Sequence, residues 1–195
     1  MPDPGSADSY AYSLVIDRET YDFYIAGFYS TSIAYACYWK NASECITFPT
    51  PYAGASLVFT IALSNGRIYC GGYVKNGSNN IPCYWVDGKY IELSYTAADG
   101  NVYGMTVYNG SVYLAGRDSS NYTTLWKDSS LVWSDTLLAD GYGHGVTVYD
   151  KDIYLAGYSI VGGINTPYIY KNGVRATLPY STQGQAYSVE VKPKR

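Results

Sequence analysis

Short runs of alternating apolar and polar residues, each closed by a turn signal, dominate the chain. Gly104-Met105-Thr106-Val107-Tyr108 and Val146-Thr147-Val148-Tyr149 alternate with period two, and each runs into a tight turn, Asn109-Gly110 or Asp150-Lys151-Asp152. Period two puts successive side chains on opposite faces of a strand, and Asn-Gly between two such runs is a strong hairpin signal. A second strand follows, carrying the tetrad Tyr-x-(Ala/Gly)-Gly. After a polar loop of variable length comes a third strand with a tryptophan. A second hairpin turn, as at Asp87-Gly88 and Asn172-Gly173, leads to a weaker fourth strand such as Tyr90-Ile91-Glu92-Leu93.

This four-strand unit repeats. The tetrad stands at Tyr24-Ile25-Ala26-Gly27, Tyr69-Cys70-Gly71-Gly72, Tyr113-Leu114-Ala115-Gly116 and Tyr154-Leu155-Ala156-Gly157. A second anchor follows each: Tyr38-Trp39-Lys40-Asn41, Tyr84-Trp85-Val86-Asp87, Leu125-Trp126-Lys127-Asp128 and Ile169-Tyr170-Lys171-Asn172. Four strands in a period of about 40–45 residues make the unit of a propeller blade. The predicted fold is all-β, a β-propeller of four blades with four antiparallel strands each and one extra terminal strand. The units fall at about 10–55, 56–101, 102–145 and 146–185. A lone meander cannot cover both of its faces, and stacking on neighbours does so. Trp39, Trp85, Trp126 and Tyr170 are expected to fill the space between blades, and Gly27, Gly72, Gly116 and Gly157 to allow close approach of the sheets. A flat solenoid or a two-sheet sandwich is the alternative, although sandwiches rarely carry so regular a repeat.

Residues 11–16 and 186–191 share one inner-strand pattern, so the chain holds four units and the opening strand of a fifth. Three arrangements fit: a four-bladed ring with a spare strand, part of a larger ring, or a ring shared between chains. An open strand edge is a liability. The terminal strands are therefore expected to pair, and to join chains into a homo-oligomer. Residues 1–9 are expected to lie outside the domain as a disordered or appended segment, with residues 192–195 a basic tail.

Composition agrees with strands. Of the 195 residues, 25 are Tyr and 20 are Gly; apolar residues make up 47% and charged residues 15%. That charge content is below the roughly 25% of an ordinary globular domain and opposite to the balance of a disordered chain. The formal net charge is −3, and the one basic cluster is Lys192, Lys194 and Arg195. Nucleic-acid binding needs a basic stripe, which is missing. No apolar run approaches the roughly 20 residues of a membrane helix, and the first residues lack the pattern of a signal peptide.

The tandem Tyr-x-Ala-Gly … Tyr-Trp-Lys-Asn-Gly pattern resembles bacterial β-propeller-repeat proteins, over residues 10–191. The resemblance implies the propeller fold and a cell-surface or secreted parent protein, and it implies no particular activity.

No catalytic constellation is visible. His144, the only histidine, lies in Asp140-Gly141-Tyr142-Gly143-His144-Gly145 and is read as a solvated or hydrogen-bonded loop residue. One histidine cannot build a multi-His metal site. Cys37, Cys45, Cys70 and Cys83 show no C-x-x-C spacing, and both disulfides and free thiols remain open. The carboxylates sit mostly in turns and mark no facing pair of the glycosidase kind. The chain is read as a non-catalytic binding or scaffold propeller without cofactor or metal, presenting loops on one face to a glycan or protein ligand. The alternatives are a structural, self-assembling repeat protein and a propeller hydrolase. One mouth is expected to gather Tyr52, Asp99, Asn101, Tyr142, His144, Gln183 and Gln185. Arg117, Asp118 and Asn121 join them from the loops after the tetrad strands. Aromatic, amide and carboxylate groups in combination suit a neutral polar ligand.

Overall fold

The computed structural model describes residues 8–95 and 99–192, which form sixteen strands and no helix. The first sheet is β1 (Asp8–Ile16), β2 (Phe23–Ser30), β3 (Ala34–Lys40) and β4 (Glu44–Thr47). The second is β5 (Ser56–Ser64), β6 (Arg67–Asn76), β7 (Asn79–Val86) and β8 (Lys89–Glu92). The third is β9 (Asn101–Tyr108), β10 (Ser111–Arg117), β11 (Thr123–Lys127) and β12 (Ser130–Ser134). The fourth is β13 (Gly141–Tyr149), β14 (Asp152–Val161), β15 (Ile164–Lys171) and β16 (Val174–Thr177). Within each sheet the strands follow chain order and every pair is antiparallel. The protein is thus a β-propeller of four four-stranded blades.

The hairpins follow from local chemistry. At Asn65-Gly66, Asp87-Gly88, Asn109-Gly110 and Asn172-Gly173 both turn residues have positive φ, the backbone of a tight turn whose twist matches the strands it joins. The Asn or Asp after the Trp-Lys anchor also has a second task. The side chains of Asn41, Asp87, Asp128 and Asn172 accept hydrogen bonds from the backbone N–H of Phe23, Ile68, Val112 and Ile153, at 2.8–3.1 Å. Each thereby ties the outer hairpin to the start of the second strand in its own sheet.

The core consists of three clusters, one for each pair of successive sheets. Trp85 and Trp126 are fully buried and face the preceding sheet. Their indole N–H groups donate to carbonyls of that sheet's exit loop, Pro49 at 2.9 Å and Ser94 at 2.7 Å. Tyr170 takes the same place in the last sheet, and its hydroxyl donates to Asp135. Trp39 is buried too, but its Nε1 has no partner. Among the described residues no such cluster joins the fourth sheet to the first.

Three expectations need correction. β1 starts at Asp8, within the segment expected to lie outside the domain; residues 1–7, like 193–195 of the basic tail, lie outside the described residues. The last inner strand starts at Gly141, not at Val146, because its glycines continue the ladder opposite Ser159, Tyr158 and Gly157. Residues 186–191 lie beside β13, but they form no strand. An inner strand needs a second strand to pair with, and none is present at that edge among the described residues. All four cysteines are free thiols.

Candidate functional site

Each inner strand carries one irregularity at the same place. The register to the second strand slips between Ala11 and Ser13 in β1, between Val58 and Thr60 in β5, between Val102 and Gly104 in β9, and between Gly143 and Gly145 in β13. These are β-bulges, in which one extra residue leaves the alternation and is aimed afresh. The extra residues are Tyr12, Phe59, Tyr103 and His144. Tyr187 holds the fifth place on residues 186–191.

The tetrad glycines make the bulges possible. A Cβ at Gly27, Gly72, Gly116 or Gly157 would lie 1.8–2.0 Å from the carbonyl oxygen of Tyr10, Leu57, Asn101 or Tyr142 respectively. The close approach that requires glycine is therefore made inside the sheet, by the bulged inner strand, and not between sheets as expected from sequence. After Tyr103 and His144, a glycine serves the approach to the next inner segment. A Cβ on Gly104 would meet the carbonyl oxygen of His144 at 2.1 Å, and one on Gly145 would meet the Cα of Ser188 at 2.8 Å.

The four bulge residues and Tyr187 form an unbroken aromatic arc. Ring centroids are 5.0 Å apart from Tyr12 to Phe59, 5.4 Å from Phe59 to Tyr103, 5.0 Å from Tyr103 to His144 and 4.7 Å from His144 to Tyr187. All five line one cavity of about 390 Å³. These spacings are those of favourable edge and offset contacts. A second tier lies beside the arc. Tyr10 stacks on Phe28 at 5.0 Å and Tyr142 on Tyr158 at 4.9 Å, while the Arg117 guanidinium lies 4.7 Å from the Tyr142 ring centre.

Burial sets the charge state of the arc. It pushes the His144 imidazole down to about 4, so the ring is neutral at pH 7, and Nε2 is buried without a partner. It pushes the Tyr103 hydroxyl up to about 12, with the Arg117 charge opposing the shift. The arc therefore presents uncharged rings and hydroxyls, with one guanidinium at its flank.

Of the residues singled out in the sequence, His144 lies in the arc, and Tyr142 and Arg117 lie against it. His144 is not a solvated loop residue: it is the bulge residue of β13, packed among Tyr103, Tyr158 and Tyr187. Asn101 is opposite Arg117 in the ladder and accepts from Asn80, and Gln185 accepts from the Tyr187 hydroxyl. The others serve their own loops. Asp118 is buried and accepts from the amides of Ser120 and Tyr122. The Asn121 carbonyl accepts from Gly141, Asp99 pairs with Asn80, and the Tyr52 hydroxyl donates to Glu92. Gln183 is exposed. Sequence reasoning missed Tyr12, Phe59, Tyr103 and Tyr187. The signal was an aromatic followed by a small residue in the four inner strands and again in residues 186–191: Tyr12-Ser13, Phe59-Thr60, Tyr103-Gly104, His144-Gly145 and Tyr187-Ser188.

No protein-family model matches the chain, and neither does any curated protein. Among solved structures, the crystal structure of the WD40 β-propeller domain of Doa1 is similar at 14% sequence identity and a TM-score of 0.45, over 94% of this chain and 73% of that one.

Proposed function

We propose that this propeller is a non-catalytic binding scaffold and that its axial aromatic arc receives a sugar chain. The observation that carries the reading is the arc itself: four bulge residues and Tyr187 place their rings around one cavity. A pyranose has an apolar C–H face and a rim of hydroxyls. Neutral aromatic faces match the first, and tyrosine hydroxyls with the unpartnered His144 Nε2 match the second. The site holds no activated nucleophile. Among the described residues, no three His, Cys, Asp or Glu side chains gather as a metal-binding group. Screening oligosaccharides against the protein and its Tyr103→Ala variant tests the reading. Binding is expected to fall about five- to 150-fold in the variant, since stacking on one ring contributes about 1–3 kcal/mol. A peptide array bound with equal loss on Tyr103→Ala, and no sugar bound, would replace the sugar with a peptide.

A second reading, assembly of copies, rests on a different observation. Leu14 is 55% exposed, whereas of its counterparts two residues beyond the bulge Ile61 and Val146 are 7% exposed under the preceding sheet and Met105 is half-buried. Ile16 beside it is 51% exposed. That flank of β1 is shaped for a further blade, and a second copy of the chain carries one.

A further inference from the structure

The position after the tetrad glycine, beside the arc, is aromatic in every blade but one. The residue after the tetrad glycine is Phe28, Tyr73 or Tyr158 in three blades and Arg117 in the third. In the ladder these residues sit opposite Tyr10, Leu57, Tyr142 and Asn101 respectively, so the guanidinium takes the place of a ring in the second tier. It lies over Tyr142, which is itself 6.3 Å from both Tyr103 and His144. Its charge reaches the hydroxyls of Tyr103 and Tyr158.

Among the described residues, Arg117 has no ion-pair partner. The ion pairs among the described residues use Lys40, Arg67, Lys171, Arg175 and Lys192. The neighbouring Asp118 turns one carboxylate oxygen onto two amides of its own loop. Arg117 Nε is buried without a hydrogen-bond partner, and so is Nε2 of His144, whose ring is 6.3 Å from that of Tyr142. A half-buried guanidinium over a ring, with no hydrogen-bond partner among the described residues, is suited to a planar anion, because its fork matches a carboxylate.

Resting on the sugar-binding reading of the arc, we propose that Arg117 is the anchor of an acid-specific subsite, so that the ligand is a sugar bearing a carboxylate, of the uronate or sialate type. The ring of the acidic residue stacks on the arc near Tyr103 and His144. Its carboxylate accepts from Arg117, and a hydroxyl donates to the neutral His144 Nε2. A uniformly aromatic tier would take neutral and acidic sugars alike.

The test uses matched pairs: hexasaccharides of galacturonate and of mannuronate, and sialyllactose, each beside its own methyl ester, titrated calorimetrically. At least one acid is expected to bind about tenfold more tightly than its ester, the worth of one charged hydrogen bond. Arg117→Gln is expected to remove that preference without weakening the ester, and Arg117→Lys to restore part of it. As a check independent of any variant, rising salt should weaken the acid and leave the ester unchanged. Equal binding of acids and esters, or a preference that survives Arg117→Gln, overturns the inference while the arc stands as a sugar site. If neither acids, esters nor neutral oligosaccharides bind, the reading of the arc fails and the inference falls with it.

Discussion

Three tryptophans occupy one repeat position, yet they differ in a single bond. Trp85 and Trp126 donate to Pro49 and Ser94, whereas the Trp39 indole N–H is buried without an acceptor. Replacing each by Phe removes the N–H and a similar volume, since all three side chains are fully buried. The volume cost should therefore be nearly common to the three. At Trp85 and Trp126 the substitution also loses a hydrogen bond with a net worth of about 0.5–1.5 kcal/mol. At Trp39 it instead removes an unsatisfied buried donor, whose desolvation costs about 1–3 kcal/mol in the native protein. The two effects add in the comparison, so Trp39→Phe should be the milder change by about 1.5–4.5 kcal/mol. Urea unfolding followed by far-ultraviolet circular dichroism, at dilute protein and with slopes compared, reads the difference directly. Equal midpoints for Trp39→Phe and Trp126→Phe would refute the bond accounting. It would mean that packing of the indole alone sets stability at this position.

Other consequences follow from the same geometry. Gly116→Ala should destabilise the fold by several kcal/mol, because the new Cβ meets the Asn101 carbonyl oxygen at 1.9 Å; Gly110→Ala, with open space around it but positive φ, should cost only about 1 kcal/mol, and thermal unfolding compares the two. The His144 ring should titrate near pH 4 by NMR. Its folded value lies below the unfolded one, so the folded state binds fewer protons between about pH 6.5 and 4, and stability falls as pH drops through that window. His144→Gln should flatten this dependence, and a titration near 6.5 would show that the imidazole is not buried. Sedimentation at about 100 µM should show self-association that Leu14→Asp abolishes, given mass action on an exposed apolar flank; a monomer at that concentration refutes the assembly reading.

How much of this was legible in the sequence depended on whether a signal was repeated and whether it was local. Tyr-x-Ala-Gly and Trp-Lys-Asn gave the four blades because both anchors report on contacts made in every unit. The Asn and Asp clamps could be recognised as turns, but their bonds to Phe23, Ile68, Val112 and Ile153 depend on pairing between strands far apart in sequence. Tyr52, Asp99 and Asn121 look like mouth residues because polar loops are where ligands usually bind. Each instead satisfies a backbone group or a neighbouring side chain, which no pattern of residue types reveals.

The aromatic arc was hidden for a sharper reason. Read with strict alternation, Tyr12, Phe59 and Tyr103 should share the face of the side chains two places further on, Leu14, Ile61 and Met105, and so count as packing between blades. One extra residue changes that, because side-chain direction in a strand has period two. The bulge brings an inner-strand carbonyl to within 2.0 Å of where a Cβ would stand on the second strand, so that position must be glycine. The tetrad glycine, the bulge and the axial ring are therefore a single device. A blade that keeps the glycine keeps the place at the axis, whatever residue fills it. This explains how His144 stands among tyrosines without disturbing its sheet. It also explains how the chemistry of the arc changes from unit to unit, as it does at Phe59 and His144, while the blades remain alike.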